Sequence, residues 1–113
     1  MISALLIVTT IAVTDGDTLR SGDLRIRLWG IDAPELKDAG GPEAKQALAD
    51  LTNGQPLVCD VVDVGKYGRM IAKCRLPGGA DLACEMVRTG HAVDWPKYSG
   101  GAYAGCKKDG ARH

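Results

Sequence analysis

Three acidic residues in the first third of the chain have the types and spacing expected of a cation site. Asp17 lies in the segment VTDGDTL, and Asp32 and Glu35 lie close together in GIDAPE. Carboxylates that are held together repel and raise each other's pKa unless a cation lies between them. Oxygen ligands favour Ca²⁺ or Mg²⁺ over zinc. The pattern indicates a hard divalent cation, although each short motif by itself is more often an ordinary turn.

Two arginines have the chemistry of a phosphate clamp. Arg27 lies on the polar face of the predicted strand that leads to Asp32, and Arg69 closes the segment KYGR. The arginine fork bonds two phosphate oxygens at once. Phosphodiester hydrolysis needs a cation, fixed positive charge on the phosphate, and a water with a base to orient or deprotonate it. Glu35, held by the stiff Pro34, is the candidate for that base.

Alternating apolar and polar residues predict the strands that position these side chains. In residues 24–31 the side chains of Leu24, Ile26 and Leu28 face one way. Those of Arg25, Arg27 and Trp29 face the other way, which is typical of a strand with one apolar face. The apolar residues 4–13 predict a first strand that ends in the DGDT turn. Residues 56–64 and 70–76 predict a hairpin around Tyr67 and Gly68.

Three helices are predicted between and after these strands. One begins at Pro42 and ends at Asn53, a second is capped by Asp81 and ends at Gly90, and a weaker third lies within residues 103–113. Roughly five short strands with interspersed helices favour an α+β fold that is mainly a β barrel. We expect a five-stranded OB-fold barrel with about three α-helices, formed by one domain over residues 1–113.

Four ordered blocks of the sequence resemble the staphylococcal nuclease (thermonuclease) family. The blocks are VTDGDTL, RIRLWGIDAPE, KYGRMIAKC and DLACEMVRTGHA, and the resemblance extends over nearly the whole chain, from about Val8 to the region of the third helix. The resemblance implies an OB barrel with three helices that binds one Ca²⁺ ion. It also implies a nuclease that cleaves DNA and RNA with low sequence specificity and leaves 3′-phosphate ends.

The resemblance assigns roles to nine residues. The implied metal ligands are Asp17, Asp32 and the carbonyl of Ala33, and the implied catalytic residues are Arg27, Glu35 and Arg69. The implied substrate-binding residues are Lys66, Tyr67 and Tyr98.

Some positions depart from the family pattern. Ala33 replaces a threonine beside the metal, but its carbonyl is unchanged, and Gly65 stands where aspartate is frequent. An ungapped count from Gly90 places Pro96 opposite a pocket tyrosine, which predicts a thinner base-stacking surface. Two other functions therefore stay open. One is an OB module that binds nucleic acid without cutting it, and the other is a nuclease-like protein of an envelope or polysaccharide pathway.

The cysteines permit a disulfide without requiring one. Cys59 and Cys74 are equidistant from the centre of the predicted hairpin, so they face each other across paired strands either as a disulfide or as two buried thiols. Cys84 and Cys106 also could pair, but their spacing provides no geometric reason. A zinc site is disfavoured because the sequence contains no CxxC motif.

The net charge and the N-terminal segment limit the partners and the cellular location that we expect. Fourteen basic and fourteen acidic residues make the formal net charge zero, which disfavours long-range capture of nucleic acid but allows a local basic cleft. The first residues lack the basic start and cleavage site of a signal peptide and are too few to span a bilayer. We expect a monomer that acts on DNA and RNA, away from membranes, in the bacterial periplasm or outside the cell, with any export signal upstream of this sequence.

Overall fold

A computed structural model describes residues 4–107, in which one curled mixed β-sheet dominates. Its six strands are arranged in the order β1-β6-β7-β4-β3-β2, and all neighbours are antiparallel except β4 and β7. Two very short strands, β5 and β8, pair separately. The strand bounds are β1 Ala4–Val8, β2 Ala12–Asp15, β3 Thr18–Ser21, β4 Leu24–Leu28, β5 Ile31–Asp32, β6 Leu57–Val64, β7 Met70–Arg75 and β8 Val93–Asp94.

Three α-helices pack around this sheet within the described residues. The helix bounds are α1 Gly41–Thr52, α2 Leu82–Arg88 and α3 Pro96–Ser99, with 3-10 turns at Lys66–Gly68 and Ala104–Cys106. The predicted cap of α2 is present, because the Asp81 carboxylate accepts a hydrogen bond from the Cys84 N–H at 3.0 Å. None of the helices described over residues 4–107 is long and apolar enough to cross a membrane.

The α+β class and the mainly β architecture are confirmed, but the predicted number of five strands is wrong. The predicted first strand breaks after Val8, since β1 pairs with β6 at one edge of the sheet whereas β2 pairs with β3 at the other. The turn at Trp29–Gly30 likewise separates β4 from β5. Eight strands of the described residues therefore replace the five that were predicted.

The third helix also differs from its prediction. Within the described residues it lies at Pro96–Ser99, and only a 3-10 turn follows at Ala104–Cys106. The remainder of the predicted helix, residues 108–113, lies outside the described residues. Proline favours the first turn of a helix, which accounts for the earlier start at Pro96.

The core lies between the inner face of the sheet and helices α1 and α2. Alternation works as predicted for Ile26 and Leu28, which are fully buried, but Leu24 at the strand end is 37% exposed. The Cys59–Cys74 disulfide crosses directly paired residues of β6 and β7 inside this core. The largest fully buried side chains are those of Leu19, Ile26, Leu28, Ile31, Leu48, Leu57, Leu82, Met86, Cys59 and Cys74.

A second disulfide, Cys84–Cys106, ties α2 to the 3-10 turn near the end of the described chain. Between them, Tyr103 is buried, and its ring lies edge-on to Trp29 at 5.8 Å between centroids. The last segment is therefore fixed to the barrel by one covalent bond and by one aromatic anchor, although it has little regular structure of its own.

Candidate active site

The turn between β2 and β3 places Asp17 beside Arg27. In the β3–β4 ladder Thr18 lies opposite Arg27, and the N–H of Leu28 donates to the Asp17 carbonyl at 2.9 Å. Gly16, which precedes Asp17, packs so tightly that an added Cβ would lie 2.6 Å from the Ala44 Cβ on α1 and 2.7 Å from the Ala33 Cβ. The position of the acidic turn thus depends on glycine, because any side chain would push the turn away from the helix.

The carboxylate of Asp17 is almost completely buried. Its Oδ1 accepts a hydrogen bond from the Thr18 hydroxyl at 3.1 Å, and its Oδ2 accepts one from the N–H of Ala33 at 2.9 Å. Burial raises the pKa of Asp17 to about 6, although the charge of Arg27 and the N–H of Ala33 both lower it. Asp15 raises the same pKa further. The positive charge of Arg27 is therefore not enough to offset the burial of the ionised Asp17 carboxylate.

The guanidinium of Arg27 contacts both predicted metal-binding acids. Its Nη1 lies 3.5 Å from Asp17 Oδ2, and its Nη2 lies 3.8 Å from Asp32 Oδ1. Nη1 also donates to the Leu28 carbonyl at 2.9 Å. The Arg27 side chain is only 12% exposed, whereas that of Asp32 is 57% exposed. One arginine therefore lies beside two acids, one from the turn between β2 and β3 and one from β5.

Glu35 lies in the loop between β5 and α1 with its side chain exposed. Its carbonyl accepts a hydrogen bond from the N–H of Asp38 at 2.9 Å. The start of α1 packs on the same peptide, because a Cβ added to Gly41 would lie 2.0 Å from the Glu35 carbonyl oxygen. The backbone of Glu35 is thus fixed by contacts on two sides, while its side chain is exposed.

A cavity of about 280 Å³ lies against strands β4, β6 and β7 and is lined by both predicted phosphate clamps. Arg27 and Arg69 line it together with the aromatic side chains of Trp29, Trp95 and Tyr98. Lys66 and Tyr67 lie outside it on the exposed 3-10 turn, where the Tyr67 side chain is 90% exposed. The structure therefore brings Tyr98 to the arginines and leaves the other two predicted substrate-binding residues in solvent.

The turn that carries Arg69 is nevertheless held to the strand of Arg27. The side chain of Arg25 donates to the Tyr67 carbonyl at 2.9 Å, and Tyr67 adopts a left-handed backbone conformation with φ of 62°. Gly65 and Arg69 close the turn through a hydrogen bond of 2.7 Å from the Gly65 N–H. The turn is therefore closed by this hydrogen bond, although position 65 is glycine and not aspartate.

Two residues of the cavity were missed by the sequence analysis. Trp95 has the Arg27 guanidinium over its ring, 5.5 Å from the ring centroid, and Asp63 also lines the cavity. The ungapped count placed Pro96 at the aromatic position, one residue past Trp95. A gap of a single residue in that count would place Trp95 at the aromatic position, and the thinner base-stacking surface stays a prediction. For Asp63 the sequence offers no such signal.

The acids fit an ion that keeps part of its water. Within residues 4–107 no group of three or more acidic, histidine or cysteine side chains forms a complete metal site. Asp17 and Asp32 offer oxygen atoms only, and the burial of Asp17 leaves its charge poorly compensated. Mg²⁺ commonly binds through one or two carboxylates plus waters and substrate phosphates, and Ca²⁺ also accepts backbone carbonyls such as that of Ala33.

The chain is similar to proteins that are named as nucleases and to one that is named for succinoglycan biosynthesis. The sequence model of the family described as staphylococcal nuclease homologue matches residues 25–105. The micrococcal nuclease of Shigella flexneri is 39% identical over 78% of this chain, and an uncharacterized endonuclease of Escherichia coli O157:H7 is 33% identical over 79%. The succinoglycan biosynthesis protein ExoI of Rhizobium meliloti is 32% identical over 86%. The chain spans 58%, 61% and 56% of the lengths of these three relatives.

Proposed function

Because the chain belongs to the staphylococcal nuclease homologue family, we propose that it is a metal-dependent nuclease that hydrolyses phosphodiester bonds in DNA and RNA with low sequence specificity. The observation that carries this proposal is the position of Arg27, which contacts Asp17 and Asp32 and also lines the cavity that contains Arg69. Two acids for a cation and two arginines for a phosphate thus converge on one small region. The relatives named as nucleases support the same activity.

The two arginines bind the phosphate and stabilise its negative charge. The five donors of a guanidinium match phosphate oxygens in pairs, and charge builds up on those oxygens as the bond breaks. Arg27 is mostly buried, so its attraction to a phosphate is weakened less by solvent than that of an exposed arginine. A Ca²⁺ ion held by Asp17, Asp32 and the Ala33 carbonyl would add positive charge beside the same phosphate.

Glu35 is the group that accepts the proton of the attacking water. Its exposed carboxylate follows Asp32 by three residues, and its backbone is fixed against Gly41. The water attacks phosphorus in line with the leaving oxygen, and the proton passes to the Glu35 carboxylate. By similarity to the family, the bond to the 5′ oxygen breaks, so that a 3′-phosphate remains on one product.

A cleavage assay with matched variants tests this proposal. Plasmid, single-stranded DNA and RNA are incubated with Ca²⁺, Mg²⁺, Mn²⁺ or a chelator, and product ends are analysed by mass spectrometry. We expect cleavage with Ca²⁺, none with chelator, and a loss of about 10²-fold or more in Glu35→Gln. Glu43→Gln makes the same change on the exposed face of α1 and should cut normally. Equal cleavage by Glu35→Gln, or equal cleavage with chelator, would refute the mechanism.

A binding module that does not cut is the second candidate, and the exposure of Glu35 and Asp32 is the observation that favours it. Filter binding separates the two functions. A pure binder retains intact single-stranded DNA when Ca²⁺ is present, whereas a nuclease releases fragments under the same conditions.

A role in an envelope polysaccharide pathway is the third candidate, and it is favoured by the similarity to the succinoglycan biosynthesis protein. The phosphate chemistry proposed above would then act in that setting. Loss of surface polysaccharide in a deletion strain, restored by the wild type but not by Glu35→Gln, would support this role.

The location proposed is an oxidising space outside the bacterial cytoplasm. Both cysteine pairs of the chain are joined as disulfides, and such bonds persist in the periplasm and outside cells but are rare in the cytoplasm. Thiol titration under denaturing conditions, on protein isolated from its natural source, tests this directly. Four free thiols would contradict the proposed location, and the absence of free thiols would support it. Light scattering tests the proposed monomeric state.

A further inference from the structure

We propose that Trp95 is a positioning residue that holds the Arg27 guanidinium in place for the phosphate and links it to the occupant of the aromatic cavity. The proposal rests on the nuclease function proposed above. It starts from one contact, in which the Arg27 guanidinium carbon lies 5.5 Å from the centroid of the Trp95 ring. Both side chains line the same cavity of about 280 Å³.

The edge of the Arg27 guanidinium is shared by competing partners. Nη1 is divided between Asp17 and the Leu28 carbonyl, and Nη2 is near Asp32. The ion contacts of 3.5 and 3.8 Å are long, and a phosphate that uses the same N–H donors must displace them. The ion contacts at the edge are thus weakened when the arginine binds substrate, and the 2.9 Å bond to the Leu28 carbonyl is the edge contact that remains.

The face of the guanidinium has no such conflict. A cation above an aromatic ring is attracted by the electron-rich face, and this attraction uses none of the N–H donors. Trp95 can therefore hold Arg27 both before and after the phosphate takes over the edge. Among aromatic side chains, tryptophan provides the strongest attraction of this kind.

Trp95 is itself held in place by its neighbours. Its backbone N–H donates to the Gly30 carbonyl at 2.8 Å, and Pro96 begins α3 directly after it. Tyr98 packs edge-on against its ring, with 4.6 Å between the centroids. Trp95 remains 36% exposed, so part of the ring is available to a base in the cavity. A base that stacks there would restrict the ring and, through it, the arginine.

Steady-state kinetics of three variants test the proposal. We expect Trp95→Leu to lower kcat by about 3- to 30-fold at saturating single-stranded DNA, because the arginine is less well placed in the transition state. Trp95→Phe keeps an aromatic face and should recover most of kcat. Tyr98→Leu removes a cavity wall that does not cover Arg27, so it should raise KM more than it lowers kcat. If Trp95→Leu raises KM only, the ring is merely a binding surface and the proposal is wrong.

A measurement without cleavage separates this proposal from the nuclease function. In the wild type, the side-chain N–H signals of Arg27 in NMR should be displaced by the ring current of Trp95. They should return towards free-arginine values in Trp95→Leu but stay displaced in Trp95→Phe, which keeps an aromatic face, with folding checked by circular dichroism. An unchanged Arg27 signal in Trp95→Leu would overturn the proposal even if the protein proves to be an active nuclease. A displaced signal in a protein that cuts nothing would refute the function alone.

Discussion

Removal of the buried charge at Asp17 should stabilise the metal-free protein while it abolishes its activity. The carboxylate is almost buried, and desolvation raises its pKa to about 6 despite the nearby Arg27. Asparagine at this position is uncharged, yet it can still accept the N–H of Ala33 and donate to the Thr18 hydroxyl. Asp17→Asn thus removes the ionisation and keeps most of the local hydrogen bonds.

The size and sign of the effect follow from the two pKa values of Asp17. The folded carboxyl has a pKa of about 6 against an ordinary value of 3.8, which corresponds to about 3 kcal/mol of unfolding free energy. Because the folded state holds the proton more tightly than the unfolded state, stability falls as pH rises from about 4 to about 6 and remains low above that. The variant should therefore gain up to about 3 kcal/mol at about pH 8 and little at about pH 4.

Urea unfolding in the presence of a chelator measures this difference at both pH values. Asp23→Asn removes a charge of the same sign from an exposed turn and serves as the control. Added Ca²⁺ should stabilise the wild type but not Asp17→Asn, since only the wild type offers the charged ligand. The variant should also lose its Ca²⁺-dependent cleavage. A variant that is destabilised equally at both pH values would show that the buried charge is not the source of the effect.

The remaining predictions concern the loop, the second disulfide and the shared arginine. Gly41→Ala should lower kcat, because the new Cβ would displace the Glu35 peptide, and normal kinetics would contradict that packing. Replacement of both Cys84 and Cys106 by serine should lower the free energy of unfolding by about 3 kcal/mol for a disulfide that closes a 22-residue separation, as measured by urea denaturation. Ca²⁺ should raise the affinity for a nucleoside 3′,5′-bisphosphate in calorimetry, because it competes with Arg27 for the acids, and identical affinity with chelator would refute this coupling.

Local patterns in the sequence were sufficient where neighbours in space are also neighbours along the chain. Cys59 and Cys74 were expected to face each other from the symmetry of one hairpin, and they are directly paired in β6 and β7. The helix predicted to begin at Pro42 and the Asp81 cap depend on residues within a few positions, and both are present. Periodicity and capping are local, so they were readable.

Contacts that depend on the path of the whole chain were not readable. Residues 4–13 look like one strand, but the chain crosses from one edge of the sheet to the other and breaks after Val8. Cys84 and Cys106 come together because the buried side chain of Tyr103 packs the last described segment against the rest of the fold. Trp95 was missed because a shift of one residue in a loop moves an aromatic side chain without changing any local pattern.

The neutral net charge of the chain is compatible with a nucleic-acid substrate, because the acids beside Arg27 balance its charge until a cation binds to them. Arg27 is held between two acids in the metal-free protein, so its charge attracts little from a distance. A cation bound by those acids would satisfy them and leave the arginine edge for a phosphate, with Trp95 keeping its face in place. The positive charge of Arg27 then becomes fully available to substrate when the ion is present. Such an arrangement predicts binding that is local, ion-dependent and weakly steered, in contrast to the long-range attraction of a basic surface.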